Sequence, residues 1–393
     1  MMHQTAGRPY PITAYSAGNA LGANTAEMVA AFESGRSGLA PCRLDIPFKT
    51  STGALPDVLP ALPTSLADYD TRVSRIAHLA YDGVAVAVAS AVRRYGRDRV
   101  ATLVGTTTGG IFETERALAH HAVHGSLPSD FHLQRHHAFD GLLEVVCRLA
   151  GAHGPAWVVS TACSSSAKVL GSARRLLATG MADAVLVGGA DSLCGTTIRG
   201  FGSLQALSDL PCRPFSAQRD GISIGEGAAF MLLERDGEGR ARLLGVGESS
   251  DAYHMSHPHP EGLGAQAAMV KALVQAGLGG ADVDHINAHG TATVANDVIE
   301  AAAIQRVFGQ NVPVTSTKGY TGHLLGAAGL TEAVFAVLAI EHGLVPASLG
   351  AEPIDPAIHL DIVRGTRRLR VRHVMSNSFA FGGSNAAVLF GAP

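Results

Sequence analysis

Cys163 lies in the run Trp157-Val158-Val159-Ser160-Thr161-Ala162-Cys163-Ser164-Ser165, where an apolar, β-branched segment gives way to small residues and then to an amphipathic stretch ending near Gly180. The pattern reads strand, sharp turn, helix, with a thiol at the bend. A helix N-terminus offers unpaired N–H groups and partial positive charge, which favour thiolate over thiol and can hold a developing oxyanion. Two histidines occupy glycine-bounded loops after apolar runs: His289 in Asn287-Ala288-His289-Gly290-Thr291-Ala292-Thr293, and His323 in Lys318-Gly319-Tyr320-Thr321-Gly322-His323-Leu324-Leu325-Gly326. A lone cysteine in a turn is commonly a packing residue, and a lone loop histidine a structural one. A thiol and two imidazoles at matching strand ends form a set fit for nucleophilic catalysis.

Those strand ends belong to a repeated grammar. Val100–Gly105, Trp157–Ser160, Ala184–Val187 and Ala228–Leu233 read as strands, and Ala77–Arg94 and Lys168–Thr179 as helices. After Glu248 the pattern restarts, with Ala265–Ala276 helical, Val283–Asn287 extended, and Asp297–Val307 and Gly329–His342 helical. The stretch Trp157 to Cys163 aligns with Pro313-Val314-Thr315-Ser316-Thr317-Lys318-Gly319, each followed by a small-residue turn and a long apolar helix. An α/β protein of two duplicated halves follows, residues 1–247 and 248–393. If the halves pack about a pseudo-twofold, Cys163 from one half meets Lys318 and the residues after it from the other.

Composition narrows the class. Of 393 residues 47% are hydrophobic, only 16% are charged and 46 are glycine, which suits a compact enzyme with buried strands and many tight turns. Thirty basic against 33 acidic residues leave a formal charge of −3, so no global field recruits nucleic acid or a membrane surface. Five cysteines without CxxC spacing suggest neither zinc nor a disulfide framework, and point to a reducing compartment. The segment Met1–Tyr15, with His3, Gln4, Arg8 and Pro9, has no basic-then-apolar leader pattern, so a soluble, cytoplasmic protein is expected. Two histidine-rich stretches, His120, His121, His124, His132, His136 and His137, then His254, His257 and His259, match neither a helical nor a finger ligand spacing, and no metal is expected.

Four segments in this order, Thr161 to Ser165, His289 to Thr291, Lys318 to Gly329, and Asn377-Ser378-Phe379-Ala380-Phe381-Gly382-Gly383, resemble the motifs of β-ketoacyl-acyl carrier protein synthases of the elongating class. The resemblance runs from about Gly18 to Phe390. It implies the thiolase fold, duplicated halves in a five-layered α-β-α-β-α sandwich, and a decarboxylative Claisen condensation of an acyl group on Cys163 with malonyl carrier protein. It also implies His289 and His323 as N–H donors to the enolate, and the Cys163 and Phe381 backbone N–H groups as oxyanion donors. Lys318 would support the site, with Glu300 and Glu332 as acidic neighbours. No cofactor is implied beyond the phosphopantetheine arm of the acyl carrier protein. The expected assembly is a homodimer, or a heterodimer with a chain-length-factor-like subunit that leaves the chain nearly inactive alone.

Phe379 and Phe381 resemble a mobile gate, but Ala380 stands between them where the usual motif has glycine, and a β-carbon there restricts the hinge. Thr108, in Gly105-Thr106-Thr107-Thr108-Gly109-Gly110, aligns with the loop lining the acyl pocket, where a larger apolar residue is common, and suggests an unsaturated or oxygenated chain. Lys318-Gly319-Tyr320 also departs from the usual Lys-Ser-Met, and both departures lean towards a type II polyketide or aryl polyene pathway. Arg72 and Arg75 are candidates for docking an acidic carrier. A thiolase would need a second cysteine in the turn after Phe379, a starter-type synthase would pair cysteine with His and Asn, and a papain-like hydrolase does not explain the repeat.

Overall fold

The computed structural model describes residues 7–393, so His3 and Gln4 of the leader argument lie outside the described residues. Ten strands build the core: β1 Tyr10–Asn19, β2 Val100–Gly105, β3 Ala156–Val159, β4 Ala184–Asp191, β5 Gly227–Glu234, β6 Ala241–Ser250, β7 His285–Asn287, β8 Pro313–Thr315, β9 His373–Ala380 and β10 Ser384–Gly391. The helices that matter here are α1 Arg72–Tyr81, α2 Ala85–Tyr95, α3 Ile111–His124, α4 Phe139–Ala150, α5 Ser165–Thr179, α6 Gly195–Ser203, α7 Leu263–Ala276, α8 Val294–Phe308 and α9 Ala328–His342.

The strand order is β8-β7-β9-β10-β6-β1-β5-β4-β2-β3, with a short strand Asp361–Ile362 outside β8. Taken inward from either end, the two sets match: β3-β2-β4 and β8-β7-β9 are parallel, and β5-β1 and β10-β6 then run antiparallel. Tyr10–Ile12 of β1 pairs with Ala241–Leu243 of β6 and joins the halves. β3 and β8 are thus equivalent, as the alignment of Trp157–Cys163 with Pro313–Gly319 requires. The division at 247/248 cuts through β6, which belongs to the second half; the seam lies in the turn between β5 and β6.

Helices α5 and α9 lie between the two halves of the sheet, α5 touching β2 and β4 on one side and β6 and β10 on the other. α1 and α4 cover the outer face of the first half, and α7, backed by α8, that of the second. Five layers result. Alternate residues explain why the strands are apolar throughout: Val185, Val187, Met231 and Leu233 enter the central core, whereas Ala184, Leu186, Phe230 and Leu232 enter the outer one. The stretch Leu325–His342, which contains α9, is apolar and long enough to span a membrane, and 83% of it is buried as the innermost layer.

The expected single helix Ala77–Arg94 is two, α1 and α2, bent by 74° across Asp82-Gly83-Val84. Gly83 approaches Ser16 of β1 so closely that a β-carbon would sit 2.7 Å from the Ser16 side chain, so the bend brings the chain against the sheet. In α3, His120 and His124 stand one turn apart with ring centroids 4.2 Å apart, so their spacing is helical after all. Among the described residues neither histidine-rich stretch gathers three metal-ligating groups; the set that does is Cys163, His289 and His323.

Candidate active site

Cys163 and His289 follow strands and His323 follows the helical turn Lys318–Thr321, and a non-glycine residue in the left-handed region lies within three positions of each: Ala162 (φ 50) before Cys163, Ala292 (φ 68) after His289, and Leu325 (φ 52) after His323. Such backbone is costly and persists where surrounding contacts enforce it. Those contacts are specific. Glu300 of α8 accepts from the backbone N–H groups of His289 and Gly290, both at 2.8 Å. One turn earlier, Asp297 accepts from Ala292 N–H at 3.1 Å and from Phe215 N–H at 2.8 Å. The His323 backbone is clamped as a strand would be, donating to Ser223 O at 2.7 Å and accepting from Gly225 N–H at 2.9 Å.

The Cys163 sulfur and one ring nitrogen from each of His289 and His323 lie within 4.8 Å of one another, and all three side chains are buried. The rings meet edge to face, with centroids 5.3 Å apart. Hydrogen bonding sets both tautomers. His323 Nδ1 accepts from Leu325 N–H at 3.3 Å, and its Nε2 has no protein partner. Lys318 Nζ stands 3.4 Å from His289 Nδ1, donates to the His289 carbonyl and pairs with Glu332 Oε1 at 2.6 Å. An acceptor at Nδ1 leaves the proton on Nε2, so both imidazoles carry an Nε2–H donor.

Burial, then the Lys318 charge, holds both imidazoles well below the usual histidine range, the neighbouring His323 adding to the effect on His289. Both are neutral at pH 7. Burial raises Glu300 to about 7 against the lowering effect of its two N–H donors, and raises Glu332 against the pull of Lys318. The Cys163 thiol departs from expectation. Burial pushes it up to about 11, although Lys318 and hydrogen bonds from the Phe381 and Cys163 backbone N–H groups pull it down. Desolvation outweighs the helix N-terminus, and the resting group is a thiol. The two N–H groups at the sulfur are those an oxyanion would use.

The three groups open into a cavity of about 310 Å³ whose wall includes Thr291, Thr293, Phe379 and Phe381. Phe379 is buried with its ring centroid 6.1 Å from that of His289, while Phe381 is 37% exposed and stacks on Phe201 of α6 at 5.6 Å. Ala380 is extended (φ −110, ψ 153), so its β-carbon costs nothing in this conformation, and Gly382 and Gly383, both at positive φ, provide the freedom of the turn.

Three sequence candidates fall away from the cavity. Thr108 does not line it: its hydroxyl and its N–H both donate to the buried Asp191 at 2.8 Å, so its polarity is spent inside the protein. Arg72 is not a free docking cation, because its Nε donates to the fully buried Glu226 at 2.8 Å and its side chain is 15% exposed. Arg75 is paired with Asp70 at 2.5 Å. Residues missed in the sequence are Asp297, Thr291 and Thr293; the legible signal for Asp297 was its i,i+3 spacing from Glu300 on an otherwise apolar helix face.

The description "Beta-ketoacyl synthase, N-terminal domain" matches residues 72–238, and "Beta-ketoacyl synthase, C-terminal domain" matches 240–352. The chain is 35% identical over 398 residues to Nodulation protein E of Rhizobium meliloti (strain 1021), covering 94% of this chain and 96% of the relative. It is 40% identical over 262 residues to the mitochondrial 3-oxoacyl-[acyl-carrier-protein] synthase of Arabidopsis thaliana, over 61% of this chain; that match spans 57% of the relative's length. Among solved structures it resembles a chain of the ketosynthase ApeO in complex with its chain length factor ApeC from Xenorhabdus doucetiae, with TM-score 0.93, 38% identity and full coverage of both chains.

Proposed function

Because the chain belongs to the β-ketoacyl synthase family, we propose that it is an acyltransferase of the 3-oxoacyl-[acyl-carrier-protein] synthase type, condensing an acyl group with malonyl carrier protein. The observation that carries the proposal is the buried thiol within 4.8 Å of two imidazole nitrogens, with both imidazoles neutral and both presenting Nε2–H.

The Cys163 sulfur attacks the thioester carbonyl of the acyl carrier, its proton ends on the departing carrier sulfur, and the carrier leaves as a thiol. The Phe381 and Cys163 N–H groups hold the tetrahedral oxyanion. Malonyl thioester then loses CO₂; the bonding pair moves onto the thioester oxygen, where the Nε2–H groups of His289 and His323 stabilise the enolate. The enolate carbon attacks the acyl carbonyl, the Cys163 sulfur leaves as thiolate and takes a proton from solvent to regain the resting thiol, and a 3-oxoacyl carrier two carbons longer departs. The cycle takes up one proton from solvent and moves only electron pairs and the thiol proton otherwise, so the reading invokes no cofactor beyond the carrier's phosphopantetheine arm. A cytoplasmic location goes with it, supported by five free cysteines.

A second reading, an obligate heterodimer with a chain-length-factor-like subunit, is supported by likeness to a ketosynthase and chain length factor complex and by the surface of the first half. There α3 buries only Ala117 and exposes Leu118 (56%) and Val123 (77%), and β3 forms the sheet edge. Purified protein given an acyl carrier and ¹³C-malonyl carrier should release CO₂ and form the 3-oxoacyl product. Product only after adding the partner subunit selects the heterodimer, and none in either case rejects the enzymatic proposal.

A further inference from the structure

Helix α6 carries Phe201 against the gate, yet its N-cap residue, Cys194, caps none of its first backbone N–H groups; the Cys194 sulfur instead meets the Thr197 hydroxyl at 2.9 Å. The missing acceptor comes from another element. Glu115 of α3 accepts from Gly195 N–H at 3.0 Å and from Thr196 N–H, placing a carboxylate on the first two backbone donors of α6. Two residues earlier Glu113 accepts from Arg72 N–H at 2.6 Å, at the start of α1. With a single buried side chain, α3 has little apolar packing to fix it, and these two carboxylates tie its N-terminal end to two other helices.

From Glu115 a chain of contacts leads to the cavity that holds the Cys163 sulfur. α6 starts at the Glu115 carboxylate and presents Phe201; Phe201 packs against Phe381 with centroids 5.6 Å apart and ring planes tilted by 41°; and Phe381 lines the cavity beside Cys163, where its backbone N–H lowers the thiol pKa against burial. We propose that Glu115 is a positioning residue for the gate: by pinning the start of α6 it sets where Phe201 holds Phe381, and so where the oxyanion donor stands. The inference rests on the condensing-enzyme reading. A donor misplaced by about 1 Å costs on the order of a hundredfold in rate, so a cap two contacts away is felt at the sulfur.

The test compares wild type, Glu115→Ala, Glu115→Gln, Phe201→Leu and the Glu115→Ala/Phe201→Leu double variant. Two rates are measured on Cys163: acylation by an acyl carrier, followed by intact mass, and alkylation by iodoacetamide, which uses no oxyanion donor. Glu115→Ala should acylate about fivefold or more slower with alkylation unchanged. Glu115→Gln, whose amide oxygen still accepts, should recover part of the loss, and the double variant should be no slower than the slower single one. Acylation at the wild-type rate in Glu115→Ala, equal losses of acylation and alkylation, or multiplying losses in the double variant would overturn the proposal. If Glu115→Ala fails to fold, Glu115→Gln and Phe201→Leu decide by the same two rates. Wild-type protein that cannot be acylated either alone or with the partner subunit added would instead overturn the condensing-enzyme reading beneath it.

Discussion

Lys318 and Glu332 form a buried ion pair, Nζ to Oε1 2.6 Å, and the same ammonium donates to the His289 carbonyl and faces His289 Nδ1. One cation thereby orients a ring, fixes its tautomer and adds to the burial that holds it neutral, while Glu332 compensates its charge.

Breaking that pair from one side leaves an uncompensated charge, so Lys318→Met should lose about 3–5 kcal/mol of stability, read as a lowered Tm. The Lys318→Met/Glu332→Leu double variant should regain most of the Tm but not the condensing activity, because the His289 tautomer is no longer set.

Removing either Nε2–H donor should lower malonyl-carrier decarboxylation by about 10²- to 10³-fold. Acylation of Cys163 should persist in His289→Ala and His323→Ala, since the donors to the acyl oxyanion are backbone groups. CO₂ release and intact mass, measured on the same samples, separate the two steps.

The pH dependence follows from the direction of each shift. Both imidazoles are held well below the usual histidine range, so they stay neutral as pH falls from 8 to 6, and any drop in decarboxylation across that interval should follow Glu300, raised to about 7, and be absent in Glu300→Gln. Cys163 is raised to about 11, so its thiolate fraction, and with it the rate of iodoacetamide alkylation, should climb with pH towards that value, about tenfold per unit. A plateau near neutral pH would show a thiolate stabilised in the resting site.

The two arginines expected to dock the carrier should behave otherwise. Arg72→Glu sets a second carboxylate beside buried Glu226 and should destabilise the fold by about 3–5 kcal/mol. In Arg75→Ala only a partly exposed pair with Asp70 is lost, and KM for the carrier should stay within about twofold. Thermal melts and carrier titrations distinguish the two effects.

Much of this architecture was legible because it repeats. A strand, a small-residue turn and an apolar helix occur at Trp157–Thr179 and again at Pro313–His342, and the two strands occupy equivalent places in the sheet. The bend between α1 and α2 was not legible, because apolar spacing continues through Ile76, Ala80, Val84 and Val88 and only the approach of Gly83 to β1 breaks it. Glu115 escaped for another reason: its partners are backbone N–H groups, which any residue supplies, so no side-chain pattern marks it, and Asp297, which also accepts from backbone N–H groups, was marked only by its spacing from Glu300. The Arg72 and Thr108 expectations failed because a charge or hydroxyl read as facing solvent or substrate had a buried carboxylate waiting for it, Glu226 in one case and Asp191 in the other.

The central claim is that Cys163 takes the acyl group and passes it to a malonyl-derived carbanion. Intact-mass analysis of wild type and Cys163→Ala after incubation with an acyl carrier, then with malonyl carrier, tests it most directly. An acyl adduct is expected on wild type alone, discharged by malonyl carrier into a 3-oxoacyl product two carbons longer. An adduct of equal size on Cys163→Ala, or one on wild type that malonyl carrier leaves in place, would contradict it.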